Sequence, residues 1–272
     1  METSTIKSFQ SFIRNFYTRN KRELPWRDIN NPYKVWVSEI MLQQTQIARV
    51  LPKYELFIRK FPTISELAKA TPADILPLWQ GLGYNRRALA MLATANSIIT
   101  NHNSEFPNNL EELQELPGIG PYTASAIRTF AYNSPEIFIE TNIRTVFLYH
   151  FFFGESDISD LQILSLVELS LDQDNPRDWY YALMDYGAYI KSTLGNQNKR
   201  SKHYSKQSKF EGSKRQLRGE ILRLLSEKNS LLIKDVYTVS KRTKKETAEI
   251  IADLMKEGFI EEIEGKFYLV KS

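Results

Sequence analysis

The 272-residue sequence contains no cysteine and only three histidines, His102, His150 and His203. Without cysteine, the protein cannot form disulfides, thiolate-ligated zinc sites, cysteine-ligated iron–sulfur clusters or a cysteine nucleophile. Three scattered histidines also argue against a histidine-rich metal site. The motifs of P-loops, HExxH proteases, GxSxG hydrolases and dinucleotide-binding folds are missing as well. These absences exclude most common enzyme classes and predict a protein poor in cofactors.

No apolar run approaches the length of a membrane span, and the N-terminal residues read as an amphipathic helix without the apolar core of a signal sequence. We therefore expect a cytoplasmic protein that can act as a monomer. Charged residues make up 25% of the chain and hydrophobic residues 42%, as in ordinary globular proteins. The net charge of +4 permits a polyanionic partner without requiring one.

Residues 1–190 show a helical pattern nearly throughout. Apolar residues recur at spacings of three and four, and the breaks carry Pro, Asn or Gly. Alternating strand patterns are nearly absent, so this range is predicted to be all-α with about ten short helices. Thr63 or Ser65, and then Thr71 followed by Pro72, are expected to begin two of these helices.

Residues 191–216 differ sharply in composition. Nine Lys or Arg residues lie between Lys191 and Arg218, against one acid, Glu211. The segment is predicted to be a basic linker that becomes ordered on a polyanion. The plain alternative is a solvated spacer.

Residues 217–272 read as a second, smaller unit. Three helical patterns are followed by an alternation around Glu264-Gly265 that is typical of a β-hairpin. This is the winged-helix arrangement, and the run SKRTKK at Ser240–Lys245 puts positive charge where a recognition helix would meet DNA. Winged helices also serve as protein–protein modules, so both kinds of partner stay open.

The stretch LPGIGPYTASAI at Leu116–Ile127 combines a tight turn with a helix start. Gly118 and Gly120 permit positive φ, and Pro117 and Pro121 fix the flanking turns. The first N–H groups of the following helix have no partner inside it, and such a helix start is a site for anions, phosphate above all. An ordinary turn between two helices is the alternative.

Two carboxylates are candidates for chemistry. Glu39 lies beside an apolar helical stripe, with Trp36 and Leu42 three residues away on either side. Such neighbours can raise its pKa until it donates a proton near neutral pH, although the polarity pattern also fits a solvated helix glutamate. Glu140 follows the apolar run Ile137–Ile139 and begins a helix, as a cap, a cation stabiliser or both.

Five blocks occur in the order and spacing of the helix-hairpin-helix DNA glycosylases: LPWRDINNPYKVWVSEIMLQQTQIARV, LWQGLGYNRRA, ELPGIGPYTASAI, FIETNIRTV and ALMDYGA. They cover about residues 7–190 and most resemble the MutY-type adenine glycosylases. The resemblance implies a mainly α, two-lobed HhH-GPD fold, followed here by the small winged-helix-like α+β domain. It also implies base excision repair of double-stranded DNA, by hydrolysis of the N-glycosidic bond of a flipped-out, mispaired adenine opposite 8-oxoguanine or guanine.

The same resemblance implies roles for individual residues. Glu39 protonates the departing adenine, and Glu140 stabilises the oxocarbenium-like sugar. Gln44 and Tyr84 wedge into the base stack, and Tyr122 stands where lyase-competent relatives carry lysine, so the enzyme is expected to be monofunctional. The remaining residues implied are Trp26, Arg27 and Asp185 for the base pocket, Gln43, Thr45, Gly118, Gly120, Thr123, Lys199, Arg200 and Lys202 for DNA, and the main-chain carbonyls of Gln114, Leu116 and Ile119 for a monovalent cation.

Several departures from the family pattern bear on specificity. Position 140 is normally Asp, and the longer Glu140 must fold back to reach the same place. The four cysteines of the family's [4Fe–4S] cluster are missing, so no cofactor is expected to be required, and the basic segment from Lys191 is expected to supply DNA contacts instead. The C-terminal unit is too short and too helical to be the Nudix-like domain that reads 8-oxoguanine. A thymine, uracil or hypoxanthine mismatch glycosylase and a non-catalytic DNA-binding protein therefore stay as alternatives.

Overall fold

The computed structural model describes residues 3–206, 209–240 and 242–271. Met1, Glu2, Gln207, Ser208, Lys241 and Ser272 lie outside the described residues, and each of the predicted ranges 1–190, 191–216 and 217–272 includes some of them. The described chain is mainly helical with one small sheet, which confirms the predicted fold class. None of its helices is long and apolar enough to cross a membrane.

The helices are, in chain order, α1 (Thr3–Asn20), α2 (Pro32–Leu42), α3 (Ile47–Lys60), α4 (Ile64–Ala68), α5 (Pro72–Trp79), α6 (Arg86–Asn101), α7 (Leu110–Glu115), α8 (Pro121–Tyr132), α9 (Thr141–Phe151), α10 (Asp160–Ser170), α11 (Pro176–Thr193), α12 (Lys214–Lys228), α13 (Ile233–Val239) and α14 (Lys244–Lys256). A 3₁₀ turn lies at Gln197–Arg200. The strands are β1 (Leu231–Leu232), β2 (Ile260–Ile263) and β3 (Lys266–Leu269).

The chain divides into two compact units, and the first comprises Met1–Glu39, Asn108–Glu115 and Ile119–Lys206. Its core lies along α9 and α11, with α1, α8 and α10 packed around them. Aromatic rings fill much of this core: Phe138 stacks on Tyr180 with centroids 4.1 Å apart, and Phe130 stacks on Tyr181 at 4.5 Å. Burial of such large rings supplies much of the hydrophobic stabilisation that holds the unit together.

The second unit comprises Ile40–Pro107, Leu116–Gly118 and Gln207–Ser272. The C-terminal helices and sheet belong to it together with α3 to α6, since α12 packs on α5 and the Ala73 N–H donates to Val270 O at 3.0 Å. The sheet is antiparallel in the order β1-β3-β2. Helix α12 begins at Lys214, slightly before residue 217, and the predicted domain boundaries stay a prediction.

Local turn and cap signals formed as expected at several places. The Thr63 side chain accepts the Glu66 N–H and begins α4, and Thr71 forms a capping box with Asp74 before Pro72. The hairpin turn between β2 and β3 has positive φ at Glu264 and Gly265, as a two-residue turn of this type requires. These features are set by neighbouring residues, which is why the sequence predicted them.

The two glycines of Leu116–Ile127, both of which permit positive φ, differ in conformation. Gly118 has φ +74, whereas Gly120 has φ −87 and lies in extended backbone. Gly120 is the N-cap of α8, a position that needs extended rather than left-handed backbone. Only the first glycine of the pair therefore uses the conformational freedom that glycine offers.

Candidate active site

Glu39, on α2, is buried in the first unit, with 7% of its surface exposed. The phenol of Tyr122, on α8, donates a hydrogen bond to Glu39 Oε2 at 2.9 Å. Burial raises the pKa of Glu39 from 4.5 to about 7, the Tyr122 hydrogen bond opposes this rise, and the charge of Glu140 adds to it. The solvated alternative is therefore wrong, and the carboxyl group can exchange a proton near neutral pH.

Glu140 is the N-cap of α9. Its Oε1 accepts the N–H groups of Asn142 at 2.7 Å and Ile143 at 2.8 Å, so the side chain folds back onto its own helix. Burial raises the pKa of Glu140, although these hydrogen bonds and the charges of Arg144 and Arg22 work in the opposite direction. Glu140 is thus both a cap and a carboxyl group whose charge acts on Glu39.

Helix α11 approaches the first turn of α9 very closely. A Cβ atom added at Gly187 would lie 2.2 Å from the carbonyl oxygen of Asn142, the residue whose N–H donates to Glu140. Only glycine fits this approach without displacing backbone. Gly187 lies in the sequence block ALMDYGA, but its contact joins segments that no local pattern connects.

Asp185, on α11, is 4% exposed and sits in a network of arginine donors. Arg27 Nη1 donates to Asp185 Oδ2 at 2.8 Å and Arg27 Nη2 to Oδ1 at 2.7 Å. The main-chain N and the Nε of Arg22 add bonds of 3.0 and 2.6 Å. Burial works against the charge, yet the hydrogen bonds and charges of Arg27 and Arg22 hold the pKa of Asp185 below its ordinary value.

The predicted pocket residues Trp26 and Arg27 are both buried, at 3% and 5% exposure, and Arg27 is itself part of this network. The Arg27 guanidinium lies over the ring of Tyr181, 4.4 Å from its centroid. Arg27 Nε is buried and has no hydrogen-bond partner among the described atoms. The sequence reasoning missed Arg22 and Tyr181, because their contacts to Asp185 and Arg27 span more than a hundred residues.

The residues predicted to enter the base stack lie on two turns of the second unit. Gln44 and Tyr84 are exposed and have φ values of 52 and 47, the left-handed region that non-glycine residues rarely adopt. Thr45 Oγ1 donates to Gln43 O at 3.1 Å and to Leu82 O at 3.3 Å, joining the two turns. No sequence pattern signalled this backbone strain.

The hairpin that is predicted to bind a phosphate contains both exposed and buried residues. Gly118 and Gly120 are exposed, whereas Leu116 and Ile119 are buried at 3% and 4% exposure. Thr123 is also buried, so a phosphate contact at this residue would use its main-chain N–H in the first turn of α8.

The hairpin is also the predicted cation site. Its expected ligands at Gln114, Leu116 and Ile119 are neutral main-chain carbonyl oxygens, a donor set that fits a hard cation of low charge. Among residues 3–206, 209–240 and 242–271, no group of three or more His, Cys, Asp or Glu side chains could hold a metal ion.

Residues 197–202 of the predicted basic linker are ordered by the protein itself. Arg200 donates to the carbonyls of Leu148 and Phe152, both at 2.5 Å, at the end of α9. The Asn198 amide donates to Thr145 Oγ1 at 2.7 Å on the same helix. The Arg200 side chain is therefore engaged within the fold rather than presented to a phosphate, whereas Lys199 and Lys202 are exposed.

Comparison with known proteins places this geometry in a family. The family model for the HhH-GPD superfamily base excision DNA repair proteins matches residues 37–168. An adenine DNA glycosylase of Mycolicibacterium smegmatis is 30% identical over 277 aligned positions, covering 94% of each chain. The chain belongs to the HhH-GPD superfamily, among relatives of the adenine DNA glycosylases. This confirms the resemblance read from the five sequence blocks.

Other HhH-GPD relatives differ in length or in sequence. An adenine DNA glycosylase of Buchnera aphidicola (strain Bp) is 36% identical over 191 residues, 69% of this chain and 54% of the relative. The chain thus spans about half the length of this relative. It covers 37% of the human adenine DNA glycosylase, to which it is 33% identical. The structure of a thermostable thymine-DNA glycosylase superposes with a TM-score of 0.64 at 24% identity, covering 71% of this chain and 91% of that one. At this identity the likeness shows the shared fold alone.

Proposed function

We propose that the protein is a monofunctional DNA glycosylase that removes adenine mispaired with 8-oxoguanine or guanine in double-stranded DNA. The observation that carries the proposal is the buried Glu39, whose pKa is raised to about 7 and whose Oε2 is held by Tyr122 at 2.9 Å. A carboxylic acid of this kind is suited to donate a proton to a leaving group at neutral pH. The adenine-specific relatives support adenine as that leaving group.

We assign binding of the flipped base to the buried residues around Arg27 and Asp185. A base within the duplex cannot be reached, so it must first leave the stack, which costs a few kcal/mol. Asp185 is occupied by Arg22 and Arg27, which fixes the Arg27 guanidinium and leaves its buried Nε as a donor. Trp26, which is buried and precedes Arg27 in the chain, is assigned to the same site.

Proton donation and charge stabilisation are divided between the two glutamates. Glu39 protonates adenine at N7, the bond from N9 to C1′ breaks with its electrons leaving on the base, and an oxocarbenium-like sugar forms. Glu140 supplies the negative charge that stabilises this sugar, and water adds to C1′ and loses one proton to the solvent. Tyr122 has no amine to form a Schiff base, so an intact strand with an abasic site is the product.

The DNA contacts are assigned to the hairpin, the two strained turns and the exposed lysines. The main-chain N–H groups at Gly118–Thr123 would bind a phosphate, with a monovalent cation on the hairpin carbonyls. Gln44 and Tyr84 would fill the space that the flipped base leaves. Lys199 and Lys202 would neutralise phosphates without reading sequence. We infer that the enzyme acts as a cytoplasmic monomer and needs no iron–sulfur cluster.

The proposal is tested by base excision under single-turnover conditions. Labelled duplexes carry A:8-oxoguanine, A:G, G:T, G:U or hypoxanthine:T, and each reaction is analysed with and without hot alkali. We expect alkali-dependent cleavage at the two adenine mispairs. The variant E39Q should lose about 10²-fold or more of this rate while it retains duplex binding, since a positioned general acid contributes about that much.

Other outcomes would overturn specific parts of the proposal. Cleavage at G:T, G:U or hypoxanthine alone would replace adenine as the substrate. Strand cleavage without alkali would contradict the monofunctional assignment. Tight duplex binding without any cleavage, unchanged in E39Q, would identify a non-catalytic DNA-binding protein.

A further inference from the structure

Arg87, on the first turn of α6, binds the end of α2 and the residues that follow it. Its Nη1 donates to the carbonyl oxygens of Ile40 at 2.6 Å, Met41 at 3.1 Å and Gln43 at 2.7 Å. The last carbonyls of a helix have no partner within it, so this guanidinium nitrogen serves as a C-terminal cap from another helix. The capped segment leads directly into Gln44.

The second nitrogen of the same guanidinium binds the other strained turn. Nη2 donates to the carbonyl oxygens of Leu82 at 3.2 Å and Gly83 at 3.1 Å, just before Tyr84. It also lies 3.2 Å from Thr45 Oγ1, which itself donates to Leu82 O. One planar group therefore spans two turns that are about forty residues apart in sequence.

Arg87 is held by hydrogen bonds to neutral groups and by ring contacts, without a carboxylate among these partners. Its acceptors are neutral carbonyl and hydroxyl oxygens, and the guanidinium lies over the rings of Trp79 at 5.3 Å and Tyr84 at 5.6 Å. Burial lowers the pKa of Arg87 to about 10, so the group is still a full donor at neutral pH. The guanidinium carries its N–H groups on separate nitrogens, so it can donate to two sets of acceptors at once. A lysine has a single nitrogen and cannot reach both sets in the same geometry.

The two turns need such support because of their backbone. Gln44 and Tyr84 both have left-handed φ, a conformation that persists only where the surrounding structure fixes it. Tyr84 is 40% exposed and Gln44 is exposed as well, so both residues are presented outward from turns that are anchored beneath them.

We propose that Arg87 is a positioning residue for base flipping, which fixes the Gln43–Thr45 and Leu82–Tyr84 turns at one spacing so that Gln44 and Tyr84 enter the duplex together. The inference rests on the proposed function, which assigns these two side chains to the base stack. Arg87 itself need not touch DNA. Its effect is transmitted through the carbonyls it holds.

The test compares R87K with R86K in the 272-residue chain. Arg86 is the matched control, because it is adjacent and its exposed guanidinium pairs with Glu257, which Arg218 also holds. Duplexes carry 2-aminopurine in place of the target adenine, so that fluorescence rises when the base leaves the stack. Duplex affinity is measured on matched DNA, and folding is checked by circular dichroism.

We expect R87K to keep its affinity for matched duplex and to lose most of the 2-aminopurine fluorescence rise. It should excise adenine up to about 10²-fold more slowly, since a misplacement near 1 Å can cost that much. R86K should behave as wild type. T45V, which removes the hydroxyl shared by the two turns, should show a smaller loss in the same direction and serves if R87K does not fold.

A wild-type fluorescence rise in R87K, or an equal loss in R86K, would overturn the inference. So would a parallel loss of matched-duplex affinity and fluorescence, since that pattern marks general disruption. If the wild-type protein raises 2-aminopurine fluorescence but excises nothing, the proposed function fails while the comparison of R87K with R86K still decides the role of Arg87.

Discussion

Glu39 and Asp185 are both buried carboxyl groups, but their pKa values are shifted in opposite directions because their hydrogen-bond partners differ. Glu39 is 7% exposed and Asp185 4%, so burial penalises the charge of both. Asp185 accepts hydrogen bonds from Arg22 and Arg27, and its pKa is lowered. Glu39 accepts one from the neutral Tyr122 phenol, and its pKa is raised to about 7. Burial raises the pKa of both groups; the arginine donors outweigh that effect at Asp185, whereas the single phenol at Glu39 does not.

The largest expected effect is the loss of stability when the Asp185 carboxylate is removed. D185N leaves the Arg27 guanidinium buried without its counter-charge, which should lower the free energy of unfolding by about 3 kcal/mol or more. Urea denaturation at neutral pH measures the change. The control E66Q makes the same acid-to-amide change in the exposed Glu66–Lys69 pair and should cost under about 1 kcal/mol. An equal effect of both variants would contradict a special role for the buried pair.

A second change tests the packing that places Glu140 near Glu39. G187A puts a methyl group 2.2 Å from Asn142 O and must push α11 away from the first turn of α9. We expect a loss of about 1–3 kcal/mol in stability, as for overpacked cores, and a lower single-turnover rate. G219A is the control: no atom lies within 4 Å of an added Cβ in α12, so the alanine should stabilise the helix slightly. Full activity in G187A would show that the close approach is dispensable.

The smallest expected effect is a shift in the pH dependence of the rate when Tyr122 no longer donates to Glu39. The Tyr122 hydrogen bond lowers the pKa of Glu39 because it favours the carboxylate. In Y122F this support is lost, the protonated acid persists to higher pH, and the falling limb of the pH–rate profile should move upward in pH. Y180F removes another buried phenol, which donates to Glu136 O, and should leave the limb in place. A limb that moves downward in Y122F would reverse the assigned role of Tyr122.

Features set by neighbouring residues were predictable from the sequence. The caps at Thr63 and Thr71, the turn at Glu264-Gly265 and the helical character of the first 190 residues all follow from short-range patterns. The residue pattern singled out Glu39 and Glu140 as candidates but left Glu39 ambiguous, and the resemblance supplied their roles. What decides its burial is packing within the whole unit, which a pattern on one helix does not contain.

Features that join distant segments could not be predicted. Arg22 meets Asp185 across 163 positions, and Gly187 meets Asn142 through helix packing. Arg87 finds its acceptors on two separate turns. The left-handed backbone at Gln44 and Tyr84 was not predictable either, because neither residue type favours that conformation by itself. Such positions depend on tertiary structure and are where the sequence reasoning was silent.

The titration of Glu39 itself decides whether this carboxyl group is an acid at neutral pH. Glutamate labelled with ¹³C at Cδ would be followed by NMR from about pH 4 to about pH 9 in the wild-type protein and in E39Q. We expect one carboxyl resonance that titrates with a pKa of about 7 and is missing from E39Q. If every glutamate resonance instead titrates near the ordinary value of 4.5, Glu39 is not an acid at neutral pH and the proposed mechanism is contradicted.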